Sequence, residues 1–242
     1  MASEDEKAAC GVSEEDAERE NGDLVGLMES RARMYGMLSR MFLKEIDEDA
    51  LRDLQGMKFP TATGNERVDE GYSLLYKYLS RAWEESVTEL AIDYVRTFIG
   101  HGVNGFSAAY PFESVYTSER RLMMQEARAE VLQTLRDNGL KRGRWTEGED
   151  HIALELEFMQ RMALRCADDL RAGDEDTAVE HVETQRTFVR DHLLNWLPMF
   201  TSDMLKFSRT DFYQGLAHLS LGYVDQDAAL LDDLLDEGNE EA

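Results

Sequence analysis

Large apolar side chains recur at three- and four-residue steps along most of the chain, with charged residues between them. In 24–43, Leu24, Leu27, Met28, Met34, Tyr35, Leu38, Met41 and Phe42 share one side of a helix. A short helix is expected at 47–57, then a loop at 58–65 holding Pro60 and Gly64. Tyr72, Leu75, Tyr76 and Leu79 place a third helix over 66–81, and Leu90, Tyr94 and Phe98 a fourth over 84–99. Glycines and Pro111 break the pattern at 100–111. Further helices are expected at 117–138, 149–172, 177–194, 199–207 and 210–224, with a break at 195–198 around Pro198. No segment alternates as a half-buried strand does, and no repeat period emerges. The pattern predicts an all-α single domain of about nine helices over residues 24–224.

Composition sharpens the two ends. Residues 1–23 carry nine acids, two bases and almost no large apolar side chain, so a disordered acidic tail is expected there. Residues 225–242 carry eight acids and no base, and read as a second acidic tail despite the patch Leu230, Leu231, Leu234 and Leu235. Over all 242 residues the formal net charge is −24. That sign argues against nucleic acid and anionic membranes, which need Lys and Arg to neutralise phosphate, and favours a cationic partner. The N-terminus lacks the basic and apolar regions of a secretory signal, and no run is long and apolar enough to span a membrane. Two cysteines, Cys10 and Cys166, cannot form a disulfide framework and suit a reducing compartment, so a cytoplasmic protein is expected.

The catalytic inventory is thin. Phosphate-binding glycine motifs, zinc spacings and the G-x-S-x-G elbow are all missing. Neither a cofactor nor a metal is expected, and no catalytic turnover. One metal alternative groups Glu147, His151 and Glu155 on successive turns, with His181 or His192 as a further ligand. Another alternative is a plain helical interaction module working through its acidic tails.

Three blocks hold the remaining signal. In Leu90–Ile99, Tyr94 and Phe98 suit a core stripe, and Asp93 beside them needs solvent or a partner. In Tyr110–Tyr116, Pro111 stiffens the lead-in to a helix that Ser114 or Thr117 is placed to cap, and the aromatics suit either a core or a groove. In Glu147–Met159, Glu147, Glu149 and Asp150 suit a helix N-terminus. An i,i+4 pair with Glu155 is the simplest role for His151, and the sharper one has Asp150 and His151 projecting into a binding site.

LAIDYVRTFIG, YPFESVY and EGEDHIALELEFM, in that order and spacing, resemble the TorD/DmsD-type redox-enzyme maturation chaperones. The resemblance implies an all-α cytoplasmic chaperone, monomeric or dimeric. It would bind the twin-arginine leader and the apoprotein of a molybdenum-cofactor oxidoreductase. Carried onto this sequence, the leader-binding positions are Asp93, Tyr94, Phe98, Phe112, Ser114, Tyr116, Asp150 and His151, joined by Glu149 as a further carboxylate for a guanidinium. Thr97 stands where relatives often carry Leu, which would make one groove wall less apolar.

Overall fold

The computed structural model describes residues 14–100, 107–141 and 146–240. These residues form α1 (Glu14–Leu43), α2 (Glu48–Gly56), α3 (Glu66–Leu79), α4 (Ser86–Tyr94), α5 (Glu113–Thr117), α6 (Glu126–Asp137), α7 (Ile152–Ala172), α8 (Glu175–Phe188), α9 (Leu194–Phe207) and α10 (Asp211–Glu240). A π turn at Val95–Ile99 extends α4, and another at Val189–Leu193 joins α8 to α9. Counted through those turns, the described residues hold nine continuous helical segments and no strand, as expected.

The centre of the fold is α7, which is buried all round from Ile152 to Leu156 and keeps one buried face to Leu170, with Arg161, Leu164 and Asp168 on an exposed stripe. A wide apolar stripe of this kind faces a core, with the charged residues on the opposite side. α1 lies antiparallel along it: Ser39 Oγ donates to the Ala153 carbonyl at 2.7 Å, and Asn21 Nδ2 to the Leu170 carbonyl at 3.1 Å at the other end. Met28, Ala32, Tyr35, Leu38 and Phe42 supply the buried stripe of α1.

α10 packs antiparallel on α3 through glycine. A Cβ on Gly71 would meet the Leu219 backbone nitrogen at 2.6 Å, and one on Gly215 the Gly71 carbonyl at 2.8 Å. Hydrogen at those positions lets the two backbones touch.

Both ends depart from expectation. α1 begins at Glu14, so residues 14–23 are helical, and Asn21 is tied to α7. Residues 1–13 and Cys10 lie outside the described residues. The acids from 225 onward continue α10 to Glu240, and its apolar patch buries Leu231 and Leu235. Asp227 is buried too: Arg31 donates to it through Nε at 2.6 Å and Nη2 at 2.9 Å, and the Tyr35 hydroxyl donates at 2.6 Å.

Two internal expectations also change. Of the helix expected over 117–138, only Glu126–Asp137 forms, as α6; residues 118–125 are irregular, and the short α5 ends at Thr117 before them. The break at 195–198 is absent; α9 runs through Pro198, and the irregularity sits earlier, in the π turn. A π turn inserts a residue into the helical repeat and re-phases the faces that follow. Cys166 is a buried free thiol.

Candidate functional site

The second and third sequence blocks are joined backbone to backbone. Phe112 and His151 form a one-residue antiparallel bridge. The Glu113 amide donates to the Asp150 carbonyl at 2.9 Å, and the Ile152 amide to the Pro111 carbonyl at 3.0 Å. Asp150 adds its side chain, with Oδ2 accepting from the Ser114 amide at 3.0 Å. Its neighbour His151 is the N-cap of α7, where Nδ1 accepts from the Ala153 amide at 3.1 Å. The Phe112 ring meets the imidazole edge to face. Burial pushes the His151 imidazole down to about 3, so it stays neutral and remains an acceptor. Glu149 is ion-paired with Arg128 of α6. Ser114 Oγ accepts from the Gln125 amide just before α6, so Ser114 anchors the start of that helix and caps no helix of its own.

Beneath this staple lies a polar cluster not foreseen from the sequence. The Glu113 carboxylate meets His192 Nδ1 at 3.0 Å, and Trp196 Nε1 donates to Glu155 Oε2 at 3.1 Å. The carboxyls of Glu113 and Glu155 act on each other electrostatically. Burial raises both, and the Glu113 charge holds Glu155 well above the usual range. That direction favours the protonated form of Glu155. Its place amid ALELEF was the available signal, because an acid flanked by apolar residues on a buried helix must find partners. The π turn at Val189–Leu193 brings His192 to this cluster.

The first block is placed elsewhere. Asp93 is buried and accepts from the amides of Arg209 and Thr210 and from the Thr210 hydroxyl, at 2.7–3.0 Å, capping the start of α10. Arg96 also pairs with it, so it is not a solvated acid. Phe98 packs on Phe42, Phe200 and Tyr213, and Tyr116 stacks on Trp196 and meets Phe200 edge to face. Phe200 therefore touches both Phe98 and Tyr116. Thr97 is fully buried and forms no groove wall; its carbonyl accepts from the Ala109 amide at 2.7 Å.

Of the nine sequence-selected residues, all but the half-buried Tyr116 are buried. Asp150 is 0% exposed and His151 4%, so these two face the interior, with no solvent-facing projection. They build a frame, and the open surface lies beside it. A depression of about 530 Å³ is lined by Leu43, Glu45, Ile46, Val87, Ala91 and Tyr94, among others. Val87 and Ala91 line it one helical turn apart on α4, and exposed Val95 continues the row. At its base the Tyr94 hydroxyl donates to the Phe42 carbonyl at 3.1 Å. Burial pushes that hydroxyl up to about 12, with the charges of Glu45 and Glu147 adding to the effect. Two exposed acids thus act on an apolar floor that the sequence did not reveal. A separate cleft of about 700 Å³ opens on the far side of α4, between Trp83, Ile92 and Arg209.

Comparison with known proteins decides the family. The model for the nitrate reductase delta subunit matches residues 64–202, more than half of the chain. The chain belongs to that family. Its relatives include a chaperone protein TorD of Vibrio cholerae, 28% identical over 222 residues, covering 89% of this chain and 98% of the relative. TorD of Vibrio parahaemolyticus is 28% identical over 214 residues, covering 84% and 95%. TorD of Shewanella piezotolerans is 27% identical over 215 residues, covering 82% and 91%. The delta subunit match encloses all three blocks that carried the TorD/DmsD resemblance. These relatives are named as chaperones and not as enzymes. Among the described residues, no three His, Cys, Asp or Glu are placed to hold a metal, and no helix is long and apolar enough to cross a membrane.

Proposed function

We propose that the protein is a cytoplasmic maturation chaperone for a molybdopterin-containing oxidoreductase. It binds the twin-arginine leader and the apo form of that enzyme, and holds it back from export until its cofactor is inserted. The depression at α4 carries this reading. A twin-arginine leader presents two guanidinium groups followed by an apolar run. Glu45 in the lining and Glu147, whose charge reaches Tyr94, offer carboxylates to the first; Leu43, Val87 and Ala91 in the lining, with exposed Val95 beyond them, offer an apolar surface to the second. Asp93, Phe98, Phe112, Ser114, Glu149, Asp150 and His151 serve as positioning residues: they hold α4 and the start of α7 in register beneath and beside the leader. Tyr94 contacts it directly from the floor, and Tyr116 supports the aromatic layer behind Phe98.

Calorimetric titration with a synthetic leader peptide tests the assignment. Glu45→Gln with Glu147→Gln should weaken binding about tenfold, or about 1.4 kcal/mol, with wild-type affinity falling as salt is raised. Replacing both peptide arginines with Gln should weaken binding to the wild type at least as much. Equal affinity across these pairs would sink the reading.

A further inference from the structure

The segment between α5 and α6 copies the chemistry of a twin-arginine leader. Arg120 and Arg121 are followed directly by Leu122, Met123 and Met124. All five are exposed, and the three apolar side chains are 53%, 47% and 60% accessible. Three consecutive large apolar residues in water cost burial energy. The backbone is also held against its preference: Arg121 and Met124 have φ of 50° and 61°, the only non-glycine residues with positive φ among those described. L side chains rarely adopt that region, so the segment carries backbone strain. The flanks are fixed, with Ser114 Oγ holding the Gln125 amide and Tyr116 stacked on Trp196, so the segment is displayed on a rigid base. Arg121 also acts electrostatically on Tyr116 and Asp203 at that base.

We infer that this segment docks into the α4 depression of a second copy of the chain, with Arg120 and Arg121 facing Glu45 and Glu147 and Leu122–Met124 on the Val87–Val95 row. The self-contact occupies the leader's place, so the free chaperone is shielded as a dimer and a leader must displace the segment to bind. Charge complementarity favours this occupant: Arg120 and Arg121 precede one apolar strip, while Glu45 in the lining and Glu147, whose charge reaches Tyr94, stand beside another, and the lining Lys44 is paired with Asp47. The inference rests on the leader reading of the depression, and a charge swap separates the two.

In sedimentation velocity at low salt, the wild type should associate as its concentration rises and dissociate at high salt. Arg120→Glu with Arg121→Glu should stay monomeric, as should Glu45→Lys with Glu147→Lys. Mixing the two variants restores one contact with its wild-type signs and the other with signs exchanged, and association should return. A wild type that is monomeric throughout, or a mixture that fails to associate, would overturn the inference. A synthetic twin-arginine peptide should bind the Arg120→Glu, Arg121→Glu variant at least threefold more tightly than wild type at concentrations where the wild type associates. Tighter binding without any wild-type association would place the segment in its own chain's depression and overturn docking between copies. If the peptide binds neither protein, the leader reading falls, and the charge swap alone still decides the self-contact.

Discussion

Asp150 accepts a hydrogen bond from the backbone amide of Ser114 at 3.0 Å, across 36 residues of sequence and inside the protein. That bond, with the Phe112–His151 bridge beside it, fixes the start of α7 against α5. Asp150→Ala leaves a buried amide without its acceptor, which costs about 1–3 kcal/mol. Asp150→Asn keeps an oxygen in place and should cost less. Urea unfolding of both variants gives the order. Leader affinity measured well below the midpoint should fall for Asp150→Ala in step with the loosened frame, since the side chain does not reach solvent.

His151 makes stability fall in acid. Its folded value near 3 lies below the ordinary 6.5, so the unfolded chain binds a proton that the folded chain refuses. Stability is lost as pH drops from about 6.5 towards 3, at up to about 1.4 kcal/mol per pH unit. Asn caps helices well and does not titrate. His151→Asn should therefore unfold at a higher urea concentration than wild type at pH 5, relative to their difference at pH 7.

Glu155 has the opposite sign. Its folded value lies well above the usual 4.5, so the folded chain holds the extra proton and stability falls as pH rises above that value. Glu155→Gln copies the protonated acid: its oxygen accepts from Trp196 and its amide carries no charge towards Glu113. The variant should match or exceed wild-type stability at pH 8 and lose that advantage near pH 4.5. A variant much weaker than wild type at pH 8 would contradict a protonated Glu155.

Arg31 and Asp227 join α1 to α10 across 196 residues. Asp227→Ala strands a buried guanidinium and should cost about 3–5 kcal/mol. Truncation after residue 224 should be at least as severe, because Leu231 and Leu235 go with it. Thermal melts of both proteins check this.

That truncation marks where the sequence misleads. Eight acids after residue 224 read as a solvated tail because the partner of Asp227 lies in the first helix, beyond any local window. Regular helices were legible, as 66–81 and 84–99 reappear in α3 and α4, although Tyr76 of the expected α3 row faces solvent and the buried row runs through Val68, Gly71, Leu75 and Leu79. The expected break at Pro198 was not, because the adjoining π turn re-phases the helix and Pro198 continues α9. At the site, the three blocks pointed to the right region. Their polar residues turned inward, since a carboxylate such as Asp93 or Asp150 looks solvated until the amides it accepts from are known. The surface acids Glu45 and Glu147 carry no motif, and only the fold brings them to Tyr94.

Photo-crosslinking tests the central claim most directly. A twin-arginine peptide with a photoreactive phenylalanine just after its arginines should label Leu43–Ile46 of α1 and its following turn, and Val87–Val95 of α4. Labelling confined to the Trp83–Arg209 cleft on the far side of α4, or undiminished when both peptide arginines are replaced with Gln, would contradict it.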